Sequence, residues 1–242
     1  MKNIMVNSEI LIDGSKELGI DLDDDSLEKF RIYKELLKEW NTKINITAII
    51  EDEEIVVKHF LDSLTPYLLN ILDGKKEIID IGTGGGFPGL PLKLINNDLK
   101  VTLMDSLNKR ITFLKEVISS LELEGVDAIH GRAEELGRTE RYREKYDICI
   151  SRAVASLDTL CEYCIPFVKL GGYFISMKGP DIDQELKEAQ RSIQILGGKL
   201  IDKKIINIPQ SDIEHSLLVI EKIRETPTKY PRGGGKPRKK PL

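Results

Sequence analysis

Residues 80–89 read Asp-Ile-Gly-Thr-Gly-Gly-Gly-Phe-Pro-Gly, so a carboxylate stands two places before the first of five glycines. Glycines packed this densely between an apolar run and a helical pattern let a ligand lie against the main chain. Gly84-x-Gly86-x-x-Gly89 alone satisfies the dinucleotide fingerprint, a weak signal that NAD and other nucleoside cofactors share. Two features favour S-adenosylmethionine over NAD: Asp80 precedes the loop, and residues 80–89 contain no basic side chain. A carboxylate there would repel a pyrophosphate and attract a ligand carrying an ammonium and a sulfonium. The competing role for Asp80 is to stabilise the loop or the helix N-terminus. Asp105, about twenty residues beyond the loop, suits the ribose diol of either cofactor.

Further candidates fall where later strands should end. Arg132-Ala133-Glu134 and Ser151-Arg152-Ala153 each follow an apolar run, and Lys178 follows GGYFISM. In an open α/β sheet these places line the ligand crevice. Ala133 and Glu134 are expected at an adenine edge, and Arg152 beside a carboxylate of cofactor or protein. Surface ion pairs and a solvated strand end are the plainer roles for these cations. Cys161-x-x-Cys164 resembles half a zinc site, but no second pair exists and His59, His130 and His215 are scattered, so no metal is expected.

The elements that would position these residues follow from apolar periodicity. Leu27, Phe30, Leu37 and Trp40 mark an amphipathic helix, with Asp25 and Glu28 as its expected capping box. IVVKHFLDSLTPYLLNIL suits one or two more helices before Asp73-Gly74. From residue 77, EIIDI, VTLMD, DAIHG, YDICIS and GGYFISM alternate with helical patterns, which calls for a mostly parallel sheet covered on both faces. KLIDKKIINI and SLLVIEKI close the sheet as an antiparallel pair. The division expected is a helical extension over 1–73, an α/β core over 74–225 and a tail over 226–242.

With 242 residues, 40% of them hydrophobic, the chain can bury a sizeable core. No apolar run approaches the ~20 residues of a membrane span, and the N-terminus lacks the order of a signal peptide, so cytoplasm is expected. Three cysteines agree with a reducing compartment. The net charge of −4 hides an asymmetry: residues 222–242 carry +7. Three glycines and four prolines in that stretch predict a mobile basic tail that binds phosphates or merely solubilises, with Tyr230 free to stack on RNA.

In combination, WNTKINITAI, HFLDSL, DIGTGGGFPGLPL, TLMDSLNKRITFL, GRAEEL, SRAVA, Lys178-Gly179 and KYPRGGGKPRKKPL resemble the RsmG, or glucose-inhibited division protein B, family along nearly the whole chain. The resemblance implies a class I, Rossmann-like S-adenosylmethionine-dependent methyltransferase with a seven-stranded sheet. It implies methylation of guanine N7 in the 530 loop of bacterial 16S ribosomal RNA, with the RNA or the small subunit as partner and a monomeric enzyme. Carried over by position, Gly82, Phe87, Ala133, Glu134 and Arg152 would contact the cofactor, joined by Gly84 and Asp105 from the loop reading. Arg132, Arg152 and Lys178 would surround the substrate. His215 departs from the family, many members of which have arginine there, and GGGKPRKK departs from the usual GTPKK.

Guanine N7 offers a lone pair without a proton, so in-line attack on a sulfonium methyl needs positioning and no general base. The Asn/Asp-Pro-Pro-aromatic motif of exocyclic amine methylation is absent, as is a Pro-Cys placement for covalent catalysis. Trp40, Asn41, Asn45, His59 and Asp62 are expected in a wall over the site. Three other readings remain open on sequence grounds: an NAD-dependent oxidoreductase, a methyltransferase for small molecules or proteins, and a non-catalytic RNA-binding module.

Overall fold

Asp23 is the N-cap of the longest helix: its carboxylate accepts from the Ser26 N–H at 2.8 Å, which corrects the capping box expected at Asp25 and Glu28. Asp25 and Glu28 instead pair outward with Lys29 and Arg31. The computed structural model describes residues 2–152 and 155–242. Helix α1 (Lys2–Glu17) and α2 (Asp24–Ile44) open the chain. Phe30, Tyr33 and Leu37 recur at three- and four-residue steps on α2 and are buried. Asn45 ends the helix in a left-handed conformation, at φ 50°.

The expected one or two helices after residue 50 form one continuous run with a changing hydrogen-bond pitch. α3 (Asp52–Ile55) passes into a π-helical turn (Val56–Leu61), then α4 (Asp62–Leu64) and a 3-10 turn (Thr65–Leu69). π turns of this kind are often found at functional sites.

The sheet follows. Strands β1 (Glu77–Ile81), β2 (Lys100–Asp105), β3 (Val126–His130), β4 (Tyr146–Ser151), β5 (Val168–Lys178), β6 (Gly198–Asn207) and β7 (Glu214–Lys222) lie in the order β3-β2-β1-β4-β5-β7-β6. All neighbours among β1 to β5 pair in parallel, and β7 is antiparallel to both β5 and β6. The crossovers hold α5 (Gly89–Ile95), α6 (Asn108–Ser120), α7 (Ala133–Leu136), α8 (Leu157–Cys164) and α9 (Asp183–Ile195). Period-two alternation splits the core: Ile78, Leu103, Ile148 and Ile150 pack toward the N-terminal helices, while Ile79, Ile81, Met104 and Cys149 pack toward α8 and α9.

The tail is not the mobile arm expected from its composition. Residues 226–242 lie against the core and end in a short helix, α10 (Lys236–Lys239). Tyr230, expected to stack on RNA, is 7% exposed within the α8/α9 core. The local sequence could not reveal this, because the tail is held by Arg143 and Glu162, far away in the chain.

Candidate active site

The glycine loop leaves β1 and is stitched to β2: Gly82 and Thr83 N–H groups donate to the Met104 carbonyl at 2.9 and 3.1 Å. Gly82 has φ +73°, and a Cβ there would meet nothing within 4 Å, so its α-carbon faces open space. The Gly84 N–H donates to Asp105 Oδ2 at 3.0 Å. Arg110 also donates to that oxygen, at 3.1 Å, and Leu107 N–H donates to Oδ1 at 2.9 Å. A carboxylate has about four acceptor positions, so Asp105 is oriented with capacity left for a hydroxyl.

Asp80 corrects the electrostatic argument made from the sequence. It lies fully buried under the loop, where Oδ2 accepts from Thr83 Oγ1 at 2.7 Å and from the Gly89 N–H, the start of α5, at 2.9 Å. Burial pushes its carboxyl up to about 7, against the pull of the Thr83 and Gly89 hydrogen bonds. It therefore braces the loop, and its power to sort cofactors by charge is reduced. Its Oδ1 is buried without a hydrogen-bond partner.

A cavity of about 520 Å³ opens beyond the ends of β1, β2 and β3, lined by Gly82, Asp105, Arg132, Ala133 and Glu134 among others. Five of the residues singled out from sequence thus share one crevice. Glu134 is 6% exposed with no hydrogen-bond or ion-pair partner among the described residues. The open face of Gly82, the oriented Asp105 and the unengaged Glu134 fit an adenosyl group: space against the main chain, an acceptor for a diol and an acceptor for an exocyclic amine. The sequence reading missed Tyr163, Gly235, Arg238 and Lys239, which line the same cavity from α8 and the tail.

Gly84, Phe87, Arg152 and Lys178 lie outside that lining. Phe87, 5% exposed, stacks on His59 with ring centroids 4.5 Å apart and on Tyr33 at 5.5 Å, and the Arg152 guanidinium sits 5.0 Å from its centroid. Arg152 is anchored by the π turn: Nη1 donates to the Lys58 carbonyl at 3.1 Å and to Asp62 Oδ2 at 2.6 Å, and Nη2 lies 3.1 Å from His59 Nδ1. Facing a guanidinium, which can only donate, Nδ1 must accept, so His59 is neutral and its Nε2–H points to Thr47 Oγ1, 2.8 Å away. Burial, reinforced by the Arg152 charge, lowers His59 to about 3. His59 and Asp62 thus both hold Arg152. Ala153 lies outside the described residues.

His215 resolves the doubt raised by its departure from the family. It is buried, with Nδ1 2.5 Å from Asp62 Oδ1 and Nε2 3.1 Å from Thr65 Oγ1. Burial would raise Asp62, but the His215 hydrogen bond and the Arg152 charge outweigh it and hold the carboxyl below its ordinary value. Lys178 is also internal: it donates to the Ala155 carbonyl at 2.6 Å and pairs at 2.7 Å with Glu185, which accepts from the Leu157 N–H at the start of α8.

Other wall residues serve structure. Asn41 Oδ1 accepts from the Ile46 and Thr47 N–H groups at 2.7 and 2.9 Å, which shapes the turn that delivers Thr47 to His59. Trp40 packs on Phe113 with centroids 5.9 Å apart. Tyr33, unmarked by sequence because it shares the helical spacing of core residues, donates to the Gly85 carbonyl at 2.5 Å. Burial pushes the Cys161 and Cys164 thiols well up, away from nucleophilic thiolate. Among the described residues no cluster of His, Cys, Asp or Glu could hold a metal ion, and no helix is long and apolar enough to cross a membrane.

A β3-β2-β1-β4-β5-β7-β6 sheet with one antiparallel strand and a crevice at its carboxyl ends is the class I, Rossmann-like methyltransferase fold. The AdoMet complex of M. jannaschii TYW2 shares this fold, with a TM-score of 0.51 at 17% identity, covering 64% of this chain and 74% of that one. The family profile GidB, rRNA small subunit methyltransferase G, matches residues 26–213. Ribosomal RNA small subunit methyltransferase G of Alkaliphilus metalliredigens is 56% identical over 98% of this chain and 100% of its own length. The protein of the same name from Acetivibrio thermocellus is 52% identical over 97% of this chain and 96% of its own. The chain belongs to the GidB family of rRNA small subunit methyltransferases.

Proposed function

We propose that this protein methylates N7 of a guanine in the 530 loop of bacterial 16S ribosomal RNA, acting as a monomer in the cytoplasm on the RNA or the small subunit. The observation that carries the reading is a crevice that joins Gly82, Asp105 and Glu134, suited to an adenosyl group, with Arg132, a cation without an ion-pair partner among the described residues, at its edge. S-adenosylmethionine supplies, when bound, a methyl group on a sulfonium centre. Gly82 and Gly84 would leave room along the main chain, Asp105 would accept from the ribose hydroxyls, and Ala133 and Glu134 would meet the adenine. Phe87 and Arg152 would form a neighbouring wall.

Three of the five Arg152 N–H donors are engaged by Lys58, Asp62 and His59, and the others remain for substrate or cofactor. Lys178 acts by fixing the start of α8, and Arg132 faces the RNA. Guanine N7 carries no proton, so these residues need only hold the nucleophile in line at ~3–3.5 Å, with no base to receive a proton. Residues 1–73 serve as a cap, 74–225 as the transfer core and 226–242 as a strap on that core.

Unmodified small subunits incubated with tritiated S-adenosylmethionine test this. Borohydride reduction and aniline cleavage, which break the strand at N7-methylguanine, should give one stop in the 530 loop by primer extension. Label in RNA that resists cleavage would overturn the N7 assignment, and label in protein or metabolite with RNA inert would overturn the substrate.

A further inference from the structure

The basic tail has become a fixed strap. Arg143 holds its start by donating to the Thr226 carbonyl at 2.5 Å and the Tyr230 carbonyl at 2.8 Å. Arg232 makes a two-pronged pair with Glu162, a carboxylate 1% exposed, at distances from 2.6 to 3.1 Å. Pro237 is buried, and its carbonyl accepts from Thr159 at 3.3 Å. These anchors set α10 against α8 and bring Gly235, Arg238 and Lys239 to the crevice wall that also holds Asp105 and Glu134.

The cations in and beside the strap meet different partners. Lys222, at the end of β7, and Arg232 are consumed by Glu144 and Glu162. Arg238 and Lys239 are exposed and have no ion-pair partner among the described residues, and the same holds for Arg132 on the β3 side of the crevice. The strap also passes close to Arg138, just beyond α7: a Cβ on Gly233 would lie 3.6 Å from Arg138 Nη1. Asp105 and Glu134, the carboxylates of the crevice wall, form no ion pair with these cations among the described residues, and like charges held near one another repel, so the arrangement gains when an anion arrives. S-adenosylmethionine brings one carboxylate, offset by its own ammonium and sulfonium, so a rim of cations suits a second, polyanionic ligand.

The geometry points to a phosphate seat for the RNA strand at the mouth of the crevice, formed by Arg132 on one side and Arg238 and Lys239 on the other. It rests on the RNA methyltransferase reading above. The strand would cross the adenosyl end of the crevice, with its backbone fixed by cations whose positions the strap has already set. Pre-ordered cations lose less conformational freedom on binding than a free arm would.

The test uses the full-length R238Q/K239Q variant, with K75Q/K76Q as a comparator that removes the same charge just before the central strand β1, at the end of the sheet away from the crevice. Fluorescence anisotropy with a 12-nucleotide guanine-containing single-stranded RNA gives affinity against salt, and calorimetry gives affinity for S-adenosylhomocysteine. R238Q/K239Q should lower RNA affinity about tenfold and flatten the slope of log K against log salt by about 1.4, the value for two phosphate contacts on a single strand. S-adenosylhomocysteine affinity should change less than twofold, the comparator should match wild type, and R238K/K239R should restore RNA binding. An unchanged slope, equal losses in both glutamine variants, or a parallel loss of S-adenosylhomocysteine binding would overturn the seat. Wild type that methylates small-subunit RNA while R238Q/K239Q keeps its slope refutes the seat alone. Wild type that methylates no RNA refutes the proposed function.

Discussion

Asp80 and His59 are both buried, both feel the Arg152 charge and are shifted in opposite directions, which makes the pH dependence of stability a sharp test of the buried site. Asp80 is raised from 3.8 to about 7, chiefly by burial, so the folded protein holds a proton that the unfolded chain releases. The stability from this source is complete below pH 3.8 and lost as pH rises through about 7. His59 is lowered from 6.5 to about 3 by burial and by Arg152, so its contribution is complete above pH 6.5 and lost as pH falls toward 3. Each pH unit between folded and unfolded titration is worth about 1.4 kcal/mol. With Asp80 and His59 both buried, the ceilings are about 4 kcal/mol for the former and about 5 kcal/mol for the latter, with opposite sign over nearly the same window. Wild type should therefore show little net dependence from these two groups between pH 4 and 6.5. Asp80→Asn keeps an acceptor for Thr83 and Gly89, and His59→Gln keeps a neutral donor. Urea unfolding at half-unit steps from pH 4 to 7.5, taken as variant minus wild type, isolates each group. Asp80→Asn should gain on wild type as pH rises through this range, and His59→Gln should gain as pH falls. Parallel curves for Asp80→Asn and wild type would mean that Asp80 is ionised in the folded protein, and would refute the argument that it acts as a neutral brace.

Arg152→Ala leaves Asp62 buried with one of its two partners and should cost roughly 3–5 kcal/mol in urea unfolding, whereas Arg152→Met with Asp62→Leu should cost less because no charge is stranded. Gly82→Ala meets no atom but places a Cβ at φ +73°. It should cost about 1–2 kcal/mol in stability and lower S-adenosylhomocysteine affinity tenfold or more by calorimetry; unchanged affinity would remove Gly82 from the cofactor face. Glu162→Gln breaks the two-pronged hold on Arg232, and limited trypsin digestion followed by mass spectrometry should then release residues beyond Arg232 several-fold faster than in wild type.

The seven strands, their order of succession and the glycine loop were legible because each is encoded locally: apolar runs of five or six residues, period-two alternation and glycines at one turn. Asp105, Ala133 and Glu134 were legible for the related reason that a parallel sheet places the ends of consecutive strands along one rim. Asp80 was read with the right importance and the wrong direction, since only packing decides whether a carboxylate at the end of a strand faces ligand or lies beneath a loop. Trp40 and Asn41, expected in a wall over the site, make a core contact with Phe113 and order a turn respectively.

The sequence by itself determined the α/β class, the place of the crevice at the strand ends and the family, because these rest on short-range patterns and on strings specific in combination. Tertiary structure alone decided three things: that His215 reaches Asp62 across 153 residues of chain, that Arg152 spends its donors on a π turn, and that a tail rich in glycine and proline is fixed by Arg143 and Glu162. Each joins groups distant in sequence, where attraction between charges and the burial of a ring outweigh local preference, and no local pattern records which partner a side chain will meet.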